Sequence, residues 1–410
     1  MLGLAFIINE ARGKGDFKIF LEAARALKDH ENLYYFWFDL GGGASGKYFY
    51  SPLFAVLLFP FSGLPHFIPN MIWLLLNVFF LYRIWMLITD YFKLEGFDSR
   101  SKNLLLGLTL LLTIRFIHIN FGMIQMTIYL LWSVLESIHF FNNKQKLRGG
   151  AILALAINIK ILPIVLIPYL VYRNRWKPVL ITLVFFLVFL FLPAIFIGFD
   201  YNNFLLAEWW KQVNPLDNHQ LVESAIGIHS LTALVPSLLH EISGEVELQR
   251  HIVNLDLKYA TIVLNTVRVL LILFTLYFLR TPPFKPAKSK THEIWELSYL
   301  LLLIPLIFPH QQKYAFVLML PAVAYVIYFL IFLYKFDHQE FLTWRWKIVI
   351  LLLILSFILT SISSDVIIGR TLNRITQHYK TITYGALLLL IVLGMCKSSF
   401  LDNISWKNPK

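Results

Sequence analysis

Long apolar runs separated by short basic clusters are the feature that most restricts the fold of this chain. Charged residues make up 15% of its 410 residues, against about 25% in soluble domains. Apolar runs of roughly 18 residues or more are typical of membrane-spanning helices. We therefore predict an all-α, polytopic integral membrane protein with one domain over residues 1–410. The predicted spans are 67–91, 103–116, 121–141, 178–197, 259–279, 295–308, 314–334, 348–359 with its flanks, and 382–396.

Composition also excludes several classes of site. The single cysteine, Cys396, rules out an intrachain disulfide and a cysteine metal site. The twelve histidines are scattered without metal-ligand spacing, and no P-loop or other nucleotide-binding motif is present. The net charge of +12 indicates basic cytoplasmic loops and anionic lipid rather than nucleic acid. The membrane is thus the expected partner.

One further apolar segment, residues 149–172, is interrupted by Lys160 and Pro163. It is either a single kinked span or a hairpin of two half-helices that returns to the same side. Basic residues collect in cytoplasmic loops, and only the hairpin puts the clusters at 93–102, 144–148, 173–177 and 280–290 all inside. Irregular backbone at membrane depth is tolerated where it lines a cavity. We therefore predict a hairpin with Lys160 at the bottom of a cavity.

When residues 149–172 are counted as a hairpin, the membrane crossings place the polar segments together on the outer face. They include a first outer loop at 9–51 and a long outer loop at 199–258, whose apolar pieces are typical of helices lying at the interface. The corners 115–120 and 310–313 and the stretch 365–380 join them. Shared sidedness is what an active site built from distant segments requires.

The N-terminus is unusual for a membrane protein. Only about eight apolar residues precede Asn9, whereas a crossing helix needs about 20. No charged segment or cleavage site indicates a signal peptide. We hypothesise that a first transmembrane helix is truncated and that Met1 is not the native start.

The first outer loop carries the clearest candidate for chemistry. Apolar residues at 17, 20, 21, 24 and 27 predict an amphipathic helix over 17–29 that lies on the surface. Asp16, which precedes it, is either the N-cap of this helix or a catalytic carboxylate. Asp29, Glu31 and Asp39 lie in the same loop and are alternative bases.

Three groups of motifs run through most of the chain in a fixed order. The first group is Asp16-Phe17, Ala23-Ala24, Leu33-Tyr34 and Tyr50-x-Pro52-Leu53. The second is Asn120-Phe-Gly-Met-Ile-Gln125, then Gly150, Ala154, Ala156, Lys160-x-x-Pro163 and Arg173-x-Arg175-Trp176; the third is Asn218-His-Gln220-Leu221 and Pro309-His310. In the order of these motifs and in their predicted sides of the membrane, the chain resembles glycosyltransferase family 87, the polyprenol-phosphate-sugar-dependent membrane enzymes.

The resemblance implies a GT-C-type helical bundle with interfacial helices in its outer loops. It implies a hexosyltransferase that moves a hexose, mannose first among the candidates, from a polyprenyl phosphate to a lipid- or glycan-linked acceptor. Asp16 would be the general base that deprotonates the acceptor hydroxyl. No cofactor or metal is expected, because a polyprenyl phosphate leaves readily once cations stabilise its charge. The family implies the outer face of a bacterial inner membrane.

Further site residues are expected from the same motifs. Lys160, Lys313, Arg115 and His310 are candidates for phosphate or acceptor contacts, although a buried pair or an interface anchor explains such residues as well. Sugar hydroxyls would be bound by amide side chains, which alternatively cap helices or bridge them. The amide candidates are Asn120, Gln125, Asn218 and Gln220.

The chain departs from the family pattern in three places, which concern the acceptor and the sugar. These are Asp29–Asn32, the glycine-rich run Gly41–Gly46, which is either a gating loop or a flexible tip, and His219 in the third motif.

A transporter or flippase of a lipid-linked sugar is the rival class of function, because broken helices mark transporter sites. A polysaccharide polymerase or ligase is a nearer alternative.

Overall fold

The computed structural model describes residues 2–13, 15–41, 44–214, 225–242, 244–279 and 282–403. This part of the chain is mostly helical and has almost no sheet, which confirms the all-α prediction. The helices in chain order are α1 (Leu2–Ala11), α2 (Phe17–Lys28), α3 (Pro52–Leu57), α4 (Phe67–Asp90), α5 (Ser99–Gly122), α6 (Thr127–Asn142), α7 (Lys146–Ile159), α8 (Leu166–Tyr172), α9 (Trp176–Phe191), α10 (Ala194–Ile197), α11 (Phe199–Val213), α12 (Leu231–Leu239), α13 (Leu257–Leu279), α14 (Lys290–Ile307), α15 (Leu320–Phe336), α16 (His338–Phe341), α17 (Trp344–Phe357), α18 (Asp365–His378), α19 (Thr381–Met395) and α20 (Ser398–Asn403).

Seven helical stretches among the described residues are long and apolar enough to cross a membrane, as the polytopic prediction requires. Each overlaps a predicted span, although α5 is longer than expected and runs on to Gly122. The predicted span 121–141 begins too early, because the helix restarts only at Thr127 as α6. The stretches are Phe67–Asp90, Ser99–Gly122, Trp176–Ile197, Leu257–Leu279, Lys313–Phe336, Trp344–Ile362 and Thr381–Asp402.

A short β-hairpin is the described exception to the helical fold. Strand β1 (Phe38–Gly41) pairs antiparallel with β2 (Ala44–Gly46), and Asp39 lies opposite Ser45. Part of the glycine-rich run predicted as a gating loop or flexible tip is therefore in paired strands. Its central residues, Gly42 and Gly43, lie outside the described residues.

The described residues fall into two compact units, and the chain passes between them several times. The first comprises the described residues within 1–87, 118–214 and 283–286, and the second comprises those within 88–117, 215–282 and 287–410. Helix α5 therefore contributes its residues up to Ile117 to the second unit and those from His118 onwards to the first.

In the first unit, α2 is anchored by the apolar stripe predicted from its spacing. Phe17 and Phe20 are buried. Phe17 stacks on Trp73 with ring centroids 5.7 Å apart, and Phe20 packs against Tyr50 at 4.5 Å. Burying one such side chain contributes roughly 1.5–3 kcal/mol, so the stripe fixes α2 firmly on the body of this unit.

The segment interrupted by Lys160 is also broken in the structure. Helix α7 ends at Ile159, and Lys160 is extended, with φ −145° and ψ 125°. A 3₁₀ turn containing Pro163 precedes α8, as expected for a residue without an amide hydrogen. After α8, Arg173 Nη1 donates to the carbonyl of Lys285 at 3.1 Å. Lys285, from the predicted inner cluster at 280–290, thus lies beside the inner cluster at 173–177 in this unit.

The second unit is built around α15. Every residue of α15 from Leu320 to Leu333 is buried, and the helix packs against α14 and α19. A helix that is apolar all round and enclosed by protein forms a core. This core supports the two corners that carry Lys313 and Lys380.

Candidate functional site

Asp16 accepts a hydrogen bond from a distant side chain instead of capping its own helix. The residue lies at the N-cap position of α2 but makes no side-chain capping bond. The amide of Gln125 donates to Asp16 Oδ2. The backbone amide of Asp16 donates to the carbonyl of Met123 at 2.9 Å. The carboxylate is thereby fixed against the turn that follows α5.

That turn is held in a demanding backbone conformation. The amide of Gln125 donates to the carbonyl of Asn120 at 2.9 Å, and Ile124 between them has φ 50°. A positive φ is rare for a β-branched residue, and such strain clusters at functional sites. Gly15 packs so closely on the turn that a Cβ would lie 2.6 Å from the Met123 carbonyl oxygen. Glycine is required there by the close approach of the two backbones.

Lys160 supplies positive charge to the same place. Its Nζ lies 5.6 Å from the centroid of the Tyr50 ring, and Tyr50 is held by a 2.9 Å hydrogen bond from Tyr34 Oη to its carbonyl. Burial raises the pKa of Asp16 to about 6, while the Gln125 hydrogen bond and the Lys160 charge oppose that rise. Asp16 is therefore mostly ionised at neutral pH and basic enough to accept a proton.

An apolar groove of about 290 Å³ adjoins this polar cluster within the first unit. Its lining includes Phe17, which directly follows Asp16, and Met126, which directly follows Gln125. It also includes Ile159, which directly precedes Lys160. Trp73 and Tyr129 also line it. A carboxylate and a cation beside an apolar groove suit a substrate with a polar head and a hydrocarbon tail.

In the second unit, Arg115 is anchored at the end of α17. Its Nη1 donates to Ser363 Oγ at 2.8 Å and to the carbonyl of Thr360, and its Nη2 donates to the carbonyl of Ser363 at 3.3 Å. Residues 358–362 form a π-helical turn, whose loosened carbonyls are available to such a donor. Arg115 lies within electrostatic reach of Asp365.

A buried histidine, His229, lies among the cations of the second unit. Its backbone amide donates to the carbonyl of Gln311 at 2.9 Å. Both of its ring nitrogens are buried, and neither has a hydrogen-bond partner among the described residues. Burial, together with the charges of Lys380, Lys313 and Arg115, holds the pKa of His229 well below its usual range. Desolvation and neighbouring cations both favour the neutral imidazole.

Two left-handed backbone positions frame this cluster. His310 has φ 59° and Lys380 has φ 55°. Lys380 is fully buried and its Nζ donates to the carbonyl of Ala225 at 2.8 Å. The side-chain oxygen of Gln311, the neighbour of His310, is buried and has no hydrogen-bond partner among the described residues.

The sequence-predicted residues therefore divide between the two units. Asp16, Gln125, Lys160 and Asn120 belong to the first unit; Arg115, Lys313 and His310 belong to the second. Asn218 and Gln220 lie outside the described residues. Asn120 is buried and contributes its carbonyl to the turn. No group of side chains able to hold a metal ion occurs among the described residues.

Two buried residues of this cluster, His229 and Lys380, were not among the site residues predicted from the sequence. Lys380 precedes an apolar helix, where a basic residue is usually an interface anchor. His229 stands in no motif. Nothing in the pattern of either residue indicates its burial.

Comparison with known families settles the class of the chain. The model of glycosyltransferase family 87 matches residues 48–290, which is more than half of the sequence. The chain belongs to glycosyltransferase family 87. The matched part of this glycosyltransferase contains Arg115, Gln125 and Lys160, whereas Asp16 and Lys313 lie outside it. No curated protein and no solved structure gave a significant match.

Family membership makes the protein a membrane glycosyltransferase and sets the transporter alternative aside. The broken helix at Lys160, which favoured a transporter, lies inside the matched residues of the glycosyltransferase. Its polar cluster is therefore to be interpreted as part of a sugar-transfer enzyme.

Proposed function

We propose that this glycosyltransferase moves a hexose, mannose being the first to test, from a polyprenyl phosphate to a lipid- or glycan-linked acceptor. The reaction would take place on the outer face of a bacterial inner membrane, without a metal or cofactor. The observation that carries the proposal is the pairing of Asp16 with Gln125 beside Lys160 and an apolar groove. A base, a cation and a hydrocarbon-binding surface are the three parts that such a reaction needs.

The apolar groove supports a lipid-linked donor. Its lining is almost wholly hydrocarbon and aromatic, and it begins at residues adjacent to Asp16 and Lys160. A polyprenyl chain bound there would bring its phosphate to the polar cluster at the groove's edge. A water-soluble nucleotide sugar would make no use of this surface.

The proposed reaction is a single displacement. The Asp16 carboxylate takes the proton of the acceptor hydroxyl while its oxygen forms a bond to C1 of the sugar. The bond between C1 and the phosphate oxygen breaks, and its electron pair leaves with the polyprenyl phosphate. Lys160 stabilises the developing negative charge, which is the part of the barrier that preorganised cations lower most.

Gln125 acts in this scheme as a positioning residue. Its amide nitrogen donates to Asp16, and its amide oxygen accepts from the backbone amide of Met126 at 3.3 Å. Both ends of the amide are therefore used inside the protein. The remaining amide candidates for binding sugar hydroxyls are Asn120, Asn218 and Gln220.

The cations of the second unit are proposed to bind an anionic group of a substrate. Arg115, Lys313 and His310 are the candidates, and the buried His229 lies within electrostatic reach of the first two. An arginine that donates in several directions is well suited to phosphate.

The first experiment measures transfer from radiolabelled polyprenyl-phosphate mannose to endogenous membrane lipids and glycans. Wild type is compared with Asp16→Asn at matched expression, and Asp90→Asn, which removes an exposed partner of Lys290, is the control. We expect a loss of about 10²–10⁴-fold in Asp16→Asn, the usual contribution of a general base. Full activity of this variant would reassign the base to Asp29, Glu31 or Asp39.

Two other outcomes separate the remaining alternatives. Products that grow by many sugars would favour a polysaccharide polymerase over transfer of one residue. Wild-type membranes that form no product would reject the mannosyl donor, and other polyprenyl-phosphate sugars would then be tested with the same variants.

A further inference from the structure

A second groove runs along the opposite, polar side of α2 in the first unit. It has a volume of about 580 Å³ and lies between α2 and strand β1. Its helical wall is formed by residues at 18, 22, 25 and 29, a spacing that puts them on one face. This volume is within the range of small-molecule sites. The residues that decide its chemistry are Lys18, Glu22, Arg25, Asp29, Phe36 and Trp37.

The outer wall of the groove presents aromatic rings to solvent. Trp37 is 64% exposed and Phe36 is 43% exposed, although both line the groove. Lys47 Nζ lies 4.9 Å from the centroid of the Trp37 ring, so a lysine helps to hold the indole in place. Aromatic rings left in water beside polar groups mark a binding surface. Such rings stack on the apolar C–H faces of sugars, and neighbouring carboxylates accept bonds from sugar hydroxyls.

Charge decides between a sugar and a membrane surface as the occupant. The groove is lined by four carboxylates, those of Glu22, Asp29, Glu31 and Asp39, against the two cations of Lys18 and Arg25, and Lys47 beside Trp37 is a third cation. A surface with excess negative charge is repelled by anionic lipid headgroups and by phosphorylated ligands. A neutral carbohydrate has hydroxyls for the carboxylates and ring faces for the aromatics. The lining therefore favours an uncharged glycan.

The length of the groove indicates more than one sugar. Helix α2 rises about 1.5 Å per residue, so the wall from Lys18 to Asp29 extends over roughly 16 Å. That span is longer than a single pyranose ring. The wall begins two residues after Asp16, the proposed base.

We propose that this groove binds a neutral oligosaccharide acceptor, several sugars long, whose terminal hydroxyl is delivered to Asp16. The proposal rests on the proposed function for the identity of the base, and it specifies the acceptor as a glycan chain. One departure from the family pattern falls on this groove, since Asp29 and Glu31 of the run at 29–32 both line it. They would adapt the enzyme to its own acceptor.

A binding measurement separates this proposal from the transfer reaction. Purified wild type and variants are titrated with neutral linear α-mannan and β-glucan fragments of one to six sugars. We expect the affinity for one of the two series to rise with chain length. Trp37→Ala should raise the Kd about tenfold, the usual cost of losing one aromatic anchor. Trp344→Ala, which removes a highly exposed tryptophan outside the groove, is the matched control and should leave the Kd unchanged.

Asp16→Asn keeps the two proposals distinguishable. It should bind the oligosaccharides like wild type while losing transfer, so a failure of the base assignment leaves the groove assignment standing. Affinity that does not depend on chain length, an unchanged Kd in Trp37→Ala, or no binding of any fragment would overturn the groove proposal.

The membrane alternative has its own readout. Cys396, the single cysteine, is buried, so Trp37→Cys offers an exposed thiol for an environment-sensitive fluorophore in nanodiscs. Emission typical of water, changed by added oligosaccharide, is expected. A blue-shifted emission quenched by spin-labelled lipid would show that the aromatic wall lies in the bilayer and would reject the proposal.

Discussion

Gln125 donates a hydrogen bond to Asp16 across 109 residues of sequence. The bond joins the turn after α5 to the N-terminus of α2, and the two segments are also tied by the amide of Asp16 and the carbonyl of Met123. The orientation of the Gln125 amide follows from its surroundings, since its oxygen faces the backbone amide of Met126. The carboxylate thus meets a fixed N–H donor.

The pH dependence of transfer should report the Asp16 carboxylate. Its pKa is raised to about 6, mainly by burial, and only the ionised form can accept a proton. Activity should therefore fall as the pH is lowered through about 6. Gln125→Ala removes the bond that lowers this pKa, so the acid limb should move up by about one pH unit. Initial rates at saturating acceptor between pH 5 and 8 measure both effects.

The control for this prediction is Gln339→Ala, which removes an exposed glutamine of α16. Its pH profile should match wild type. An acid limb at the same pH in Gln125→Ala and wild type would show that Gln125 has only a structural role.

Removal of the positive charge at Lys160 should slow the chemical step. Lys160→Met loses the cation that opposes the raised pKa of Asp16 and that is proposed to stabilise the leaving phosphate. We expect kcat to fall about 10²-fold, as for loss of one preorganised electrostatic contact. Lys160→Arg should retain part of the rate. Lys347→Met, at an exposed lysine of α17, is the matched control, and a wild-type kcat in Lys160→Met would contradict the assignment.

Gly15→Ala should damage the site through packing alone. The added Cβ would lie 2.6 Å from the Met123 carbonyl oxygen and 2.9 Å from Ile124 Cγ1, so the turn must move away from Asp16. Overpacking of this kind costs about 1–3 kcal/mol. Gly63→Ala is the control, because a Cβ there meets nothing within 4 Å. Gly15→Ala should unfold at a lower temperature in detergent and transfer sugar more slowly than Gly63→Ala.

Substitution of Arg115 should weaken binding of an anionic substrate. Arg115→Gln removes the guanidinium beside Lys313 and Asp365, and we expect the KM for one substrate to rise about tenfold with little change in kcat. Arg374→Gln is the matched control, because Arg374 is an exposed arginine that also donates to a backbone carbonyl. If Arg115→Gln lowers the melting temperature but leaves KM unchanged, Arg115 only holds the end of α17.

The ion pair between Arg83 and Glu136 should stabilise the first unit. Arg83 Nε and Nη2 each donate to a Glu136 oxygen at 2.9 Å, and Trp132 Nε1 donates to the same carboxylate at 3.0 Å. Glu136→Gln should cost about 2 kcal/mol, less than a fully buried pair, because Arg83 remains partly exposed. The double variant Arg83→Met, Glu136→Met should regain stability in thermal unfolding. A double variant no more stable than the single one would contradict this account.

The elements that follow local periodicity could be predicted from the sequence. The stripe of α2 and the break at Lys160 both appear where the pattern put them, because each depends on a few neighbouring residues. The predicted corner at 115–120 is wrong, because the helix of α5 continues past the polar side chains of Arg115 and Asn120 to Gly122. The chain turns only after it, where Ile124 has a positive φ. Periodicity does not encode a turn made of apolar residues.

Partners brought together by the tertiary fold could not be predicted. Gln125 was expected either to bind sugar hydroxyls or to cap or bridge helices, and its contact with Asp16 depends on the path of the whole first unit. Trp37 carried no prediction from the sequence, and only its position opposite α2 makes it part of a groove wall. His229 is buried by segments far away in the chain.

The interleaving of the two units has a consequence for biogenesis. The surroundings of Asp16 are completed by the turn at residues 123–125, so the ribosome must finish α5 before they form. The first unit closes later still, when the amide of Phe284 reaches the carbonyl of Tyr172 at 2.7 Å. Domains usually fold as units in the order of their synthesis. Here the nascent chain has to hold an incomplete first unit in the membrane while α12 is synthesised and α13 is inserted.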